Sequence, residues 1–173
     1  RVLAENIVAD RDFPPFDRVS MDGIAIAFAS WKEGRREFIL EGTQPAGMPQ
    51  TFLVDRERCF EVMTGAVLPK NTDTVIRYED VEIKDGSARI LIDEVLQGQN
   101  IHGKGNDASA GSVLLEPGVL LSPAEIALLA AVGKATVQVF SFPSTAIVSS
   151  GDELVDVEAS PELHQIRRSN TFA

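Results

Sequence analysis

The chain has 173 residues, with 26 acidic side chains against 16 basic ones and a formal net charge of −10. That sign repels a phosphate backbone, so nucleic acid is excluded as the expected partner, and a hydrophobic fraction of 44 % excludes disorder of the whole chain. The best apolar run, residues 120–132, falls short of the roughly 20 residues of a membrane helix and contains Glu125, and no charged-then-apolar leader opens the sequence, so no membrane association and a cytoplasmic setting are expected.

Glycine and proline interrupt the first two-thirds of the chain every few residues. Between them lie short β-branched runs at residues 23–27, 37–40, 59–63, 74–76, 81–84 and 88–92, a spacing that predicts many short strands joined by tight turns and little helix. Asp85-Gly86 tolerates positive φ, which predicts a hairpin over residues 81–92. The single cysteine, Cys59, lies in one of these runs without metal-ligand spacing and reads as a small core residue. Trp31, beside Lys32 and Arg35, reads as a partly buried loop anchor, and His102 with Lys104 as part of a solvated loop.

One helix is well signalled. Ser122 can cap it, Pro123 suits its first position, Glu125 stands three residues after the cap and Gly133 closes it. Its body is apolar on nearly every side, which predicts a helix largely buried between other elements. Beyond it, residues 135–140 and 145–149 read as strands separated by Phe142-Pro143, where a domain junction is expected. The second run leads into Ser150-Gly151-Asp152-Glu153-Leu154, a strand-to-loop transition of the kind that hosts ligands at the carboxyl end of a parallel sheet. Residues 156–161 read as a mobile loop.

Hydrolase and kinase signatures are absent. There is no Gly-rich phosphate loop, no Gly-x-Ser-x-Gly and no local histidine pair. What remains is a set of oxygen-bearing side chains next to glycine: Ser20-Met21-Asp22-Gly23, Met63-Thr64-Gly65-Ala66, Gly105-Asn106-Asp107 and Ser150-Gly151-Asp152-Glu153. Each alone is also ordinary turn chemistry. Brought together, such carboxylates make a hard-oxygen site suited to Mg²⁺, and a divalent cation would let an acidic protein hold an anionic substrate.

Four ordered stretches resemble one family. Pro14-Pro15-Phe16-Asp17 with Met21-Asp22-Gly23, the block Met63-Thr64-Gly65-Ala66 with Pro69, Asp73 and Val75, the segment Gly105-Asn106-Asp107, and Ser150-Gly151-Asp152-Glu153-Leu154 followed by Gln165-Ile166 and Ser169-Asn170 are similar in order and spacing to motifs of the molybdopterin molybdenumtransferases, the MoeA and gephyrin E-domain family. Three positions depart from it: Ile24 where the family usually has Tyr, Glu61 where it has Arg, and Arg168 where it has an acid.

The resemblance implies a mainly β chain with some α, with the coiled and bifurcated sheets of the MoeA N-terminal region. It implies a β-rich inserted domain at residues 10–107, a scaffold and dimerisation domain from residues 1–9 and 108–142, and the truncated start of an α/β molybdopterin-binding domain at residues 143–173. It implies insertion of molybdate into adenylylated molybdopterin with Mg²⁺, by a homodimer acting downstream of a molybdopterin adenylyltransferase, the fragment itself being inactive. Asp22, Thr64, Asp107 and Glu153 are the implied catalytic residues, Ser150, Gly151 and Asp152 the cofactor-binding ones, and Asp22 with Glu153 the metal-organising carboxylates. Two other readings compete: a non-catalytic dimerisation scaffold of the gephyrin E-domain type, and a generic sugar- or nucleotide-binding β domain.

Overall fold

The computed structural model describes residues 1–172, which fall into two compact units divided between Val139 and Phe140. In the first, the elements in chain order are β1 (Ile7–Val8), β2 (Arg18–Val19), β3 (Gly23–Ile26), α1 (Phe28–Lys32), β4 (Glu37–Gln44), β5 (Arg58–Val62), β6 (Thr74–Arg77), a 3-10 turn (Tyr78–Asp80), β7 (Val81–Lys84), β8 (Ser87–Ile90), β9 (Ile101–His102), β10 (Val113–Leu115) and α2 (Pro123–Ala131). Among the described residues no helix is long and apolar enough to cross a membrane.

The chain is mainly β, and its centre is a six-stranded sheet in the order β6-β3-β5-β4-β8-β7, antiparallel except for the β4–β5 pair. Strand β3 is buried along its whole length because both sheet faces are covered, which is why it reads as a continuous apolar run rather than an alternating one. Ile24 and Ile26 enter one core layer with Phe38, Cys59 and Ile76, while Ala25 enters the other with Val19, Phe60, Val62 and Val75. The β7–β8 hairpin turns on Asp85 and Gly86, both at positive φ (49° and 78°), as a two-residue primed turn requires.

Strand β4 is twice as long as the apolar pattern predicts. Its parallel pairing with β5 runs from Ile39 to Gln44, with an irregularity between Leu40 and Gly42. Trp31 belongs to the short helix α1 rather than to a loop. Its ring stacks on Phe28 and lies beneath the Arg36 guanidinium, and both aromatic rings pack against the first core layer.

A third, smaller core joins Leu3 and Ile7 to Leu129 and Val132 of the α2 region, with β1 antiparallel to β10 and Val2 bridged to Leu120. Helix α2 has the capping box read from Ser122 and Glu125, and Gly133 follows it at φ 72°. Its burial differs from the reading: only Leu129 within the helix is buried, and Ile126 is 53 % exposed. A nine-residue helix resting on one small cluster covers a single stripe, so the rest of its apolar surface faces outward in the single chain.

In the second unit, β11 (Leu154–Val155) pairs in parallel with β12 (Ile166–Arg167). The run at 145–149 is not a strand. No backbone pairing holds it among the described residues, and Ile147 and Val148 are exposed despite their strand-forming composition. At the end of the first unit, only Val139 of the run at 135–140 is bridged, to Leu3 of the same unit. The loop at 156–161 is tied at Asp156 and Ala159: Ala159 N–H donates to the Asp156 carbonyl, Arg167 Nε to the Ala159 carbonyl, and Arg168 pairs with Asp156.

Candidate functional site

The loop leading into β3 is fixed by its neighbours on two sides. Val19 of β2 exchanges hydrogen bonds with the 65–66 turn, its N–H donating to the Ala66 carbonyl and its carbonyl accepting from Gly65 N–H, both at 2.9 Å. On the other side β2 pairs with β9, Arg18 opposite His102 and Val19 opposite Ile101. The Thr64-Gly65 turn and the His102 strand therefore flank one two-residue strand, and Asp22 follows it by three positions. Gly65 turns at φ 86°, a conformation that glycine adopts without a steric cost.

Asp22 and Thr64 meet. The Thr64 backbone N–H and its hydroxyl both donate to Asp22 Oδ1, at 2.6 and 2.8 Å. Both residues are exposed, so the pair faces solvent and is open to a ligand. The backbone N–H of Thr64, reinforced by its hydroxyl, holds the Asp22 carboxyl below the ordinary carboxylate value. Asp22 is thus a fixed negative charge at neutral pH and a poor proton acceptor.

Two residues that the sequence reading left out complete this edge. Tyr78, the first residue of the 3-10 turn after β6, donates its backbone N–H to the Asp22 carbonyl at 3.1 Å and its hydroxyl to Glu61 Oε1 at 2.7 Å. Thr43 of β4 donates to the other Glu61 oxygen at 3.0 Å. Glu61, opposite Ile24 in the β3–β5 register, is therefore a hydrogen-bonded acceptor in the sheet, and the departure from arginine here has a Tyr78 and Thr43 environment built for a carboxylate. Burial, then the Glu61 hydrogen bond and charge, push the Tyr78 hydroxyl well above its ordinary range. A cross-strand pairing across four strands leaves no local sequence signal. Ile24, the other departure in the first unit, is fully buried in the core and offers a ligand nothing.

Asp107 lies on the β9 side of β2. Its Oδ1 is 2.8 Å from His102 Nε2, and its backbone N–H donates to the Phe13 carbonyl at 2.8 Å. Lys104 of the same loop donates its N–H to Asp17 Oδ1 and places its ammonium 3.3 Å from Asp12 while its side chain stays 57 % exposed, so the His102–Lys104 loop is solvated and its polar groups are also partnered. Asp107 shares a strand neighbour with the Asp22–Thr64 pair but no hydrogen bond.

Ser150, Gly151, Asp152 and Glu153 belong to the second unit and are all exposed. The Glu153 carboxylate folds back over Gly151, and a Cβ at Gly151 would come within 2.6 Å of both its oxygens. Glu153 also anchors β12, its carbonyl accepting from Ile166 N–H at 2.8 Å. Among the described residues no three histidine, cysteine or acidic side chains gather into a metal-binding group. The donors present suit a Mg²⁺ ion that keeps most of its water and takes one carboxylate, not a closed protein cage.

Comparison with known proteins gives a consistent picture. The profile of the MoeA N-terminal region (domain I and II) matches residues 1–133. The chain is 47 % identical to a molybdopterin molybdenumtransferase of Synechocystis sp. over 173 residues, 99 % of this chain and 44 % of that protein. It is 35 % identical to one of Staphylococcus aureus strain MSSA476, covering 98 % of this chain and 41 % of the relative. The molybdopterin biosynthesis moeA protein of Pyrococcus horikoshii OT3 superposes with a TM-score of 0.84 at 34 % identity, over 98 % of this chain and 46 % of that structure. The chain thus spans less than half the length of the relatives it matches.

Proposed function

Because the chain belongs to the MoeA N-terminal region family, we propose that it serves molybdenum cofactor biosynthesis as the N-terminal part of a molybdopterin molybdenumtransferase, inserting molybdate into adenylylated molybdopterin. The observation that carries this reading is the Asp22–Thr64 pair: a solvent-facing carboxylate oriented by a backbone N–H and a hydroxyl on a loop pinned between two strands. Only one Asp22 oxygen is engaged by Thr64, which leaves the other to act outward.

In this reading Asp22 would hold Mg²⁺ through that oxygen or through a metal-bound water, and Glu153 would be the metal-organising carboxylate of the second unit. Mg²⁺ would supply positive charge against the substrate's phosphate oxygens, which an edge carrying Asp22, Glu61 and Asp107 cannot itself attract. Thr64 orients Asp22, and Tyr78 with Glu61 fixes the backbone carbonyl behind it. Asp107 is oriented by His102, and Ser150, Gly151 and Asp152 supply the glycine-flanked loop for the pterin. The outward apolar surface of α2, together with Leu120 at 67 % exposure, favours a homodimer built on this region.

The test is molybdenum insertion by the full-length protein that carries this chain, with Asp22→Ala beside wild type, and calorimetry of adenylylated molybdopterin binding in the presence of Mg²⁺. Loss of insertion is expected for the variant. Unchanged binding together with unchanged insertion refutes the role of Asp22. The 173-residue chain alone, which spans 44 % of the Synechocystis relative, is expected to insert no molybdenum.

A further inference from the structure

A cleft of about 600 Å³ opens between α1 and the residues that follow it, the turn before β5, the start of β4 and Arg89 of β8, and it shares no lining residue with the Asp22 edge. In a chain of net charge −10, four arginines line it: Arg35, Arg36, Arg56 and Arg89. Their charges are not equally occupied. Arg35 pairs with Glu57 at 2.5 Å and Arg56 with Glu33 at 3.0 Å, so these two are neutralised locally. Arg36 and Arg89 form no ion pair among the described residues.

Arg36 is fixed without being neutralised. Its Nη1 donates to the Trp31 and Arg35 carbonyls at 2.9 and 3.1 Å, and its guanidinium carbon lies 4.5 Å from the Trp31 ring centroid. A guanidinium held by stacking and by neutral acceptors keeps its full charge and has already lost its rotamer freedom, the condition under which arginine binds an oxyanion at least entropic cost. Beneath it Ser30 is buried, its hydroxyl donating to the Arg56 carbonyl at 2.7 Å, so the wall that presents Arg56 is tied to α1. Arg89 faces the same cleft from β8, where it stands opposite Glu37 of β4.

We propose that this cleft binds a small tetrahedral dianion, with Arg36 and Arg89 supplying the unneutralised charge. Glu37 is the one carboxylate of the lining that no arginine engages, and it opposes the anion. This gives the inference a signature of two signs: removing Arg89 weakens binding, and removing the Glu37 charge strengthens it.

Phosphate and molybdate share the geometry and charge, so both serve as probes. The 173-residue chain is titrated at low ionic strength with sodium phosphate and, separately, with sodium molybdate, chloride matching the ionic strength, while the arginine side-chain Nε resonances are followed by NMR. Saturable shifts at Arg36 and Arg89 are expected. Arg89→Gln should weaken binding about tenfold or more, the usual worth of a charge-assisted hydrogen bond, and Glu37→Gln should tighten it several-fold. Arg36→Lys keeps the charge but loses the stack and should also weaken it, whereas Arg11→Gln, outside the cleft, should change nothing. Equal affinity for the two probes identifies recognition of the shared shape, and a tenfold preference for one identifies its source. Non-saturable shifts, an Arg89→Gln chain that binds as wild type, or a Glu37→Gln chain that binds more weakly overturns the proposal.

Discussion

Gly23 is where the sheet and the candidate site constrain each other most tightly, and Gly23→Ala tests both. An added Cβ would lie 1.8 Å from the Ile76 carbonyl oxygen, 2.8 Å from the Ile76 carbonyl carbon and 2.9 Å from the Arg77 Cα, all of them backbone atoms. No side chain can rotate away, so β3 and β6 must separate by more than about 1 Å to relieve the overlap. They are joined over four paired positions, Gly23 to Ile26 against Arg77 to Thr74. Overpacking of this kind costs about 1–3 kcal/mol, and each weakened ladder hydrogen bond adds about 1 kcal/mol. A destabilisation of at least about 3 kcal/mol is expected, roughly 6–12 °C in Tm for a protein of this size, measured by thermal unfolding. Gly86→Ala is the control: no atom lies within 4 Å of its Cβ position, and only its φ of 78° is unfavourable, costing about 1–2 kcal/mol. If Gly23→Ala is no more destabilising than Gly86→Ala, close approach of β3 and β6 is not what selects glycine, and the placement of Asp22 beside it loses its physical basis.

Other consequences can be checked separately. Ser122→Ala removes the hydroxyl that accepts from Ala124 N–H at the start of α2 and should cost about 1 kcal/mol in urea unfolding, whereas Ser122→Thr should cost less. Tyr78 is the only tyrosine, so the tyrosinate absorbance reports it alone; it should remain un-ionised well past its ordinary 10.0 in the folded chain. Because the raised folded value favours the neutral hydroxyl, this stabilisation is complete below the unfolded value and is lost as pH rises above it, and an ordinary titration would refute the Glu61 bond. Asp22 behaves in the opposite sense: its folded value lies below the ordinary 3.8, so its stabilisation is present above that value and lost as pH falls through the folded one. Thr64→Val should return the Asp22 carboxyl, followed by carbon-detected NMR, toward 3.8. Burial pushes the Cys59 thiol up to about 12, so a thiol reagent should react with native protein only as fast as the sheet opens, and at once in denaturant.

The parts of the fold legible in the sequence are those specified by neighbours in the chain. Asp85-Gly86 contains the positive-φ pair that the β7–β8 turn requires, and Ser122, Pro123, Glu125 and Gly133 state both ends of α2. The parts that were not legible depend on distant partners. Glu41-Gly42-Thr43-Gln44 has no apolar alternation. It is held as strand by parallel pairing with β5 and by the buried Gln44 amide, whose Oε1 accepts from the Thr51 N–H and hydroxyl at 2.8 and 2.7 Å. Helix α1 is too short to form on propensity alone and is stabilised by packing of Phe28 and Trp31 on the core. Residues 145–149 make the converse case, since their apolar pattern is that of a strand, yet a strand exists only where a second chain segment completes its ladder.

The same division runs through the candidate site. Asp22, Thr64 and Asp107 could be singled out because glycine beside an oxygen-bearing side chain is a local pattern, but which of them meet is decided by register. Arg18–Val19 brings the Thr64 turn to one side and His102 to the other, and nothing in those two residues announces it. Tyr78 and Thr43 were invisible for the same reason, although by holding Glu61 they determine what the edge can do. With Glu61 already holding the Tyr78 and Thr43 hydroxyls, and with Thr64 occupying one Asp22 oxygen, the acceptors left free on this edge are few and negatively charged. A surface of that sign gains nothing from approaching an anion directly. If it acts on an anionic pterin, as proposed, the attraction must come through a cation, and the affinity of the whole protein for its substrate must then rise with Mg²⁺ concentration and lose that dependence in Asp22→Ala.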